Sequence, residues 1–256
     1  MRGTWEGAGR PVVLLHGQPG TRRDWDGVRG ALRDVRVLAP DRPGYDGHPA
    51  MDFAGNAQRL SALLGATGVQ RAVLVGHSWG GGVALQMALD HPAQVAGLCL
   101  LGSIGSRLSW TNWDRLLAFP GIAQAAGAAT CRTAALAPRL FVSATGSQLP
   151  HAKLQDVRRQ GREWQRRGAA KAIAAEQRFL VTRGQELARR LGEVTAAALV
   201  VTGDQDRTVP PAAAADLARA LPRGVLLTLP GGHLLPQETP ELVAAAIGRA
   251  VADADW

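Results

Sequence analysis

Cysteine is almost absent. The 256 residues hold only Cys99 and Cys131, too few for a disulfide framework. Cys99 lies in an apolar run with the look of a buried strand, so both cysteines read as structural thiols. No stretch approaches the roughly 18 apolar residues that a membrane span needs, and the residues before the first strand hold no apolar signal region. A cytoplasmic protein without a membrane partner is expected. His, Cys and Asp nowhere cluster at metal-ligand spacing, and no glycine-rich loop matches the dinucleotide fingerprint. No cofactor and no metal are expected. Internal repeats and low-complexity segments are also lacking.

What is present is ordinary for a globular chain: 46% hydrophobic and 20% charged residues, in a length suited to one domain with an insertion. The net charge of +8 comes mostly from arginines spread along the chain, so no nucleic-acid partner is expected. Short apolar runs at 11–15, 35–39, 71–75, 95–101, 197–202 and 225–229 alternate with helix-period segments at 25–32, 53–64, 81–89, 212–221 and 241–252. The runs are continuously apolar, as in strands buried on both faces of a parallel sheet. The predicted class is a doubly wound α/β fold with a mostly parallel central sheet flanked by helices. One interval breaks the rhythm. Residues 104–192 read as several helices broken at Pro120, Pro138, Gly146 and Pro150, giving a core of 1–103 and 193–256 with a helical insertion between.

Gly76-His77-Ser78-Trp79-Gly80 lies between the run at 71–75 and the helix at 81–89. A serine at so sharp a strand-to-helix turn is strained, and its neighbours two residues away must be small. The turn exposes the hydroxyl beside a helix N-terminus. Serine is a weak nucleophile until a base takes its proton, and the base works best when a carboxylate orients it. The partners should follow in the order acid, then histidine, each just after a strand. Asp204 and Asp206 compete after 197–202; the Gly-x-x-Asp-x-x-x-Pro spacing puts Asp206 deeper in the loop, leaving Asp204 to shape the turn. His233 follows the last strand in a glycine-flanked loop. Backbone N–H groups of Trp79 and of Gln18, in His16-Gly17-Gln18-Pro19-Gly20, are the candidate oxyanion donors; Pro19 has none to give. His77 reads as a packed elbow residue and His16 as an organiser of the oxyanion loop, while His48, His91 and His151 read as surface or loop residues.

These blocks, with Asp41-Arg42-Pro43-Gly44-Tyr45, occur in the order of the signature blocks of the α/β-hydrolase superfamily, which the chain resembles over nearly all its length outside the insertion. The resemblance implies that residues 104–192 are a helical cap. Many members begin with an antiparallel strand pair; only ten residues precede Pro11, so that edge is expected to be shortened or absent.

The same resemblance bounds the reaction. Haloalkane dehalogenases and epoxide hydrolases are similar but carry aspartate where Ser78 stands, so alkyl-ester chemistry is excluded. Cleavage of a small or medium ester, lactone or thioester through an acyl-serine is the leading expectation. Proline-iminopeptidase-like, carbon–carbon bond hydrolase and cofactor-free perhydrolase activities use similar machinery. An aminopeptidase would need an acidic anchor for the substrate amine, for which Asp114, Asp156, Glu163, Glu176 and Glu186 are available. A non-hydrolytic cyclase, lyase or ligand receptor is the alternative of another class. Trp110 and Trp113 could line an acyl pocket or pack the cap onto the core. Arg158, Arg159, Arg162, Arg166 and Arg167 form a stripe beside Trp164, either a solvated face or a dock for an acidic carrier protein.

Overall fold

Successive strand residues point to opposite sides of a sheet, so continuously apolar strands call for cover on both sides. The computed structural model describes residues 1, 3–110 and 112–256, with the side chains of residues 112 and 113 outside that description. Among the described residues one sheet is formed by β1 (Glu6–Gly7), β2 (Arg10–Leu15), β3 (Val35–Leu38), β4 (Ala72–His77), β5 (Val95–Leu101), β6 (Ala198–Gly203) and β7 (Gly224–Leu229). The strand order is β1-β3-β2-β4-β5-β6-β7, and only β1 runs antiparallel to its neighbour. The antiparallel edge is therefore shortened to two residues rather than lost.

In chain order, α1 (Asp26–Ala31) joins β2 to β3, α2 (Phe53–Ala66) joins β3 to β4, and α3 (Trp79–Asp90) joins β4 to β5. Between β5 and β6 come α4 (Asn112–Leu117), α5 (Ile122–Leu136), α6 (Pro138–Ala144), α7 (His151–Arg166) and α8 (Ala169–Arg189). Then α9 (Pro211–Ala220) joins β6 to β7, and α10 (Leu235–Glu238) and α11 (Pro240–Ala252) close the described chain. Val12, Leu14, Val73, Val75, Leu199 and Val201 pack with Val28 of α1 and Val243 and Ile247 of α11. Their neighbours Val13, Leu15, Leu74, Leu98, Leu100 and Val200 pack on the other side with Leu60, Leu64, Val83, Leu85 and Leu217 from α2, α3 and α9. Each such side chain, fully buried, contributes about 1.5–3 kcal/mol.

One strand departs from the expected burial. β7 is an edge with only β6 beside it, and Val225 and Leu226 are 47% and 42% exposed. The helices α4–α8 end where the sequence carries breakers. Pro138 starts α6, Pro150 precedes α7, and Gly121 and Gly168, at φ 84° and 70°, precede α5 and α8. Among the described residues no helix is long and apolar enough to cross a membrane.

The topology selects the position of the site. From β2 the chain moves to β3 on one side, then returns to β4 on the other. The loops after β2 and β4 therefore face each other across the crevice at the strands' carboxyl ends.

Candidate active site

β4 ends at His77 and α3 begins at Trp79, so Ser78 alone makes the turn. The helix starts two residues earlier than the sequence suggests, because no loop intervenes. Ser78 sits at φ 52°, ψ −118°, a backbone conformation that few L-residues adopt. A Cβ on Gly80 would stand 2.3 Å from the Leu15 carbonyl oxygen, and one on Gly76 would stand 2.5 Å from Gly81 Cα. The glycine pattern is steric. Ser78 N–H donates to Leu101 O at 2.9 Å, fastening the turn to the end of β5. Trp79 N–H, in the first turn of α3, has no acceptor within its own helix.

His233 and Asp206 arrive from the loops after β7 and β6. Nδ1–H of His233 donates to Asp206 Oδ2 at 2.8 Å. Asp206 Oδ1 accepts the N–H groups of Thr208 and Val209, each at 2.8 Å, so the carboxylate is fixed from both sides. With Nδ1 committed as donor, the neutral ring carries its lone pair on Nε2. Both side chains are buried, as is Ser78. Asp204 is exposed, and its Oδ1 accepts the Gly231 N–H at 2.9 Å; it shapes the turn. Two relationships bring His233 beside the elbow. His77 Nε2–H donates to His233 O at 2.8 Å. A Cβ on Gly102, next to Leu101, would lie 3.0 Å from both His233 Nδ1 and Asp206 Oδ2.

The loop after β2 closes the third side. A Cβ on Gly17 would stand 3.1 Å from Ser78 Cβ. His16 is buried, with Nε2 accepting the Arg42 N–H at 3.0 Å and Nδ1–H directed to Gly17 O at 3.0 Å. Burial, reinforced by the charge of Arg42, holds its pKa well below the usual imidazole range. Gln18 Nε2 donates to Ile173 O of α8 at 2.9 Å, which ties this loop to the helical excursion. The Trp79 ring does not wall an open pocket. It is 1% exposed, packed against Phe53, with the Arg42 guanidinium 4.6 Å from its centroid. Among the described residues no group of three or more His, Cys, Asp or Glu gathers where it could hold a metal ion.

The profile described as the Alpha/beta hydrolase family matches residues 12–246. The chain belongs to that family. It is 32% identical over 243 residues, 88% of this chain and 85% of the other, to a Variovorax paradoxus protein provisionally named carbamate hydrolase RutD. Identity to a 2-hydroxymuconate semialdehyde hydrolase of Pseudomonas putida is 36% over 108 residues, spanning 39% of this chain and 38% of that protein. A thermophilic esterase structure from Thermogutta terrifontis superposes with a TM-score of 0.74 at 23% identity, covering 98% of this chain and 92% of that one. That likeness shows the shared hydrolase fold.

Several contacts of this α/β hydrolase are not visible in its sequence. The segment after α6, where only a break at Gly146 was visible, braces the loops of Asp206 and His233. Thr145 O accepts the N–H of both Arg207 and His233 at 3.2 Å, and Ser147 Oγ accepts the Leu234 N–H at 2.8 Å. Arg42 and Glu176 form a fully buried ion pair between the loop after β3 and α8, and Tyr45 OH donates to the second Glu176 oxygen at 2.9 Å. Asp24, behind the loop after β2, accepts from Thr21 N–H at 3.0 Å and from Gln160 of α7 at 3.1 Å.

The tryptophans and arginines of the excursion divide differently. The Trp110 ring lies against α8, 3.2 Å from where a Gly184 Cβ would stand, and packs, half-buried, against the main core. The Trp113 side chain lies outside the described residues. Trp164 is buried against Phe141 within the excursion, so it does not accompany the arginine stripe at the surface. Arg159 pairs with Asp156, and Arg167 with Glu163, while Arg162 and Arg166 are exposed and Arg158 half-buried.

Proposed function

We propose that this α/β hydrolase is a serine hydrolase that cleaves a small or medium ester, lactone or thioester. Ser78 Oγ attacks the carbonyl carbon while His233 Nε2 takes its proton. Asp206 holds the imidazole in the reactive tautomer and stabilises the imidazolium. Negative charge on the carbonyl oxygen is met by the N–H groups of Trp79 and Gln18, each such donor being worth about 10²–10³ in rate. Collapse expels the alcohol or thiol, which receives the proton from His233. Water, deprotonated by the same imidazole, then releases the acid from Ser78. Helices α4–α8 serve as the cap that covers the acyl site.

The observation that carries this reading is the Asp206–His233 hydrogen bond of 2.8 Å, held beside a buried serine at φ 52°. An aminopeptidase is less well supported, because the buried acid of the excursion, Glu176, already accepts from Arg42 and Tyr45. It is not free to anchor a substrate ammonium. The similarity to a 2-hydroxymuconate semialdehyde hydrolase favours carbon–carbon bond hydrolysis as the second reading. The deciding experiment is a panel of acyl esters, lactones, thioesters, aminoacyl amides and vinylogous diketones, run on the wild type and Ser78→Ala. Turnover of esters or lactones that Ser78→Ala abolishes supports the proposal. Turnover confined to the diketones, or retained in Ser78→Ala, refutes it.

A further inference from the structure

We infer that Glu176, on α8, is a positioning residue that sets the oxyanion-binding N–H of Gln18 by acting through Arg42. The inference rests on the serine-hydrolase reading and adds a residue to it.

Arg42 is fully buried and uses its guanidinium in three directions. Nε–H donates to His16 O at 2.9 Å, Nη2–H to Gly17 O at 2.8 Å, and Nη1–H to Glu176 Oε1. Gly17 C=O and Gln18 N–H belong to one planar trans peptide unit and point in opposite directions. Holding the Gly17 oxygen on Arg42 therefore turns the Gln18 N–H away from Arg42 and fixes its bearing. The same guanidinium lies over the ring of Trp79, the residue that offers the other N–H. One cation thus touches both donor residues, through the Gly17 carbonyl at Gln18 and through the ring at Trp79.

A guanidinium with no exposure to water takes its place from its carboxylate partner. Glu176 supplies that partner, and Tyr45 OH fixes its second oxygen at 2.9 Å. Since α8 also accepts Gln18 Nε2–H at Ile173 O, the excursion grips the loop at two points. Displacing α8 would release both together.

The test compares wild type with Glu176→Gln, Glu176→Asp and Tyr45→Phe. Readouts are kcat, KM for a substrate ester, and the rate at which a fluorophosphonate labels Ser78, followed by intact mass. Glu176→Gln should lower kcat and the labelling rate together, by about 10- to 100-fold, with KM within about threefold, because a transition-state contact is weakened. Glu176→Asp should recover part of the loss. Tyr45→Phe should lower kcat by roughly two- to fivefold. Arg249→Ala, which breaks an exposed ion pair with Asp253 at the end of α11, should leave all three readouts unchanged. Unchanged kcat in Glu176→Gln, or a raised KM at unchanged kcat, overturns the inference. Should Glu176→Gln fail to fold, unchanged kcat in both Glu176→Asp and Tyr45→Phe overturns it equally, and loss of kcat in both supports it. Wild type that fluorophosphonate does not label would instead strike the serine-hydrolase reading itself.

Discussion

His77 Nε2 lies 2.8 Å from the carbonyl oxygen of His233, so the residue before the elbow serine holds the backbone of the histidine loop. This bond needs a proton on Nε2, which neutral His77 provides. Burial, with the nearby charge of His233 as the smaller cause, brings its pKa down to about 3 from 6.5. An imidazole depressed in the fold adds stability that is complete above pH 6.5 and is lost as pH falls toward 3. Over that window His77 should withdraw on the order of 1.4 kcal/mol per pH unit. Urea unfolding between pH 7 and pH 4 should be shallower in pH dependence for His77→Gln than for wild type.

Asp24 titrates in the opposite sense. Burial raises its carboxyl to about 7 from 3.8, against the hydrogen bonds from Thr21 and Gln160. A carboxyl raised in the fold contributes fully below pH 3.8, and its contribution declines as pH rises to 7. Asp24→Asn should therefore unfold several degrees higher than wild type at pH 8, and show no such gain near pH 4. Differential scanning calorimetry at the two pH values checks the sign.

The elbow was legible in the sequence because backbone crowds both glycine positions. A Cβ on Gly76 would stand 2.5 Å from Gly81 of the following helix and one on Gly80 2.3 Å from the Leu15 carbonyl of β2, so the chain must write glycine there. Asp206 and His233 were legible because each follows a short apolar strand by a few residues. The Arg42–Glu176 pair was not, since its members are 134 residues apart and neither periodicity nor spacing records a contact between a core loop and α8. The edge strand β7 misled for a related reason. Its apolar content matches that of β4–β6, and only the strand order reveals that one flank is open.

The two loop aspartates should separate sharply on mutation. Asp206 accepts from His233, Thr208 and Val209, whereas Asp204 accepts from Gly231 alone among the described side-chain bonds. Asp206→Asn should lower kcat by roughly 10³–10⁴, because an amide supports the wrong imidazole tautomer. Asp204→Asn should cost less than about tenfold, through loop geometry. Steady-state kinetics on one ester substrate ranks them, and a larger loss at Asp204 would reverse the acid assignment.

Ser147 offers a milder handle on the histidine loop. Its Oγ accepts the Leu234 N–H at 2.8 Å, one residue past His233. Ser147→Ala leaves that part-buried N–H without this acceptor, at a cost of about 1 kcal/mol. We expect lower kcat with KM nearly unchanged, and faster amide hydrogen exchange across residues 231–235 than in wild type.

Labelling of the elbow alcohol measures whether His233 makes Ser78 nucleophilic. Wild type and His233→Ala are treated with a fluorophosphonate, and the adduct is weighed intact and mapped by peptide. One adduct per chain is expected, on Ser78, forming at least about 100-fold more slowly without the imidazole. An adduct elsewhere, or one on Ser78 that forms equally fast in His233→Ala, would contradict that expectation.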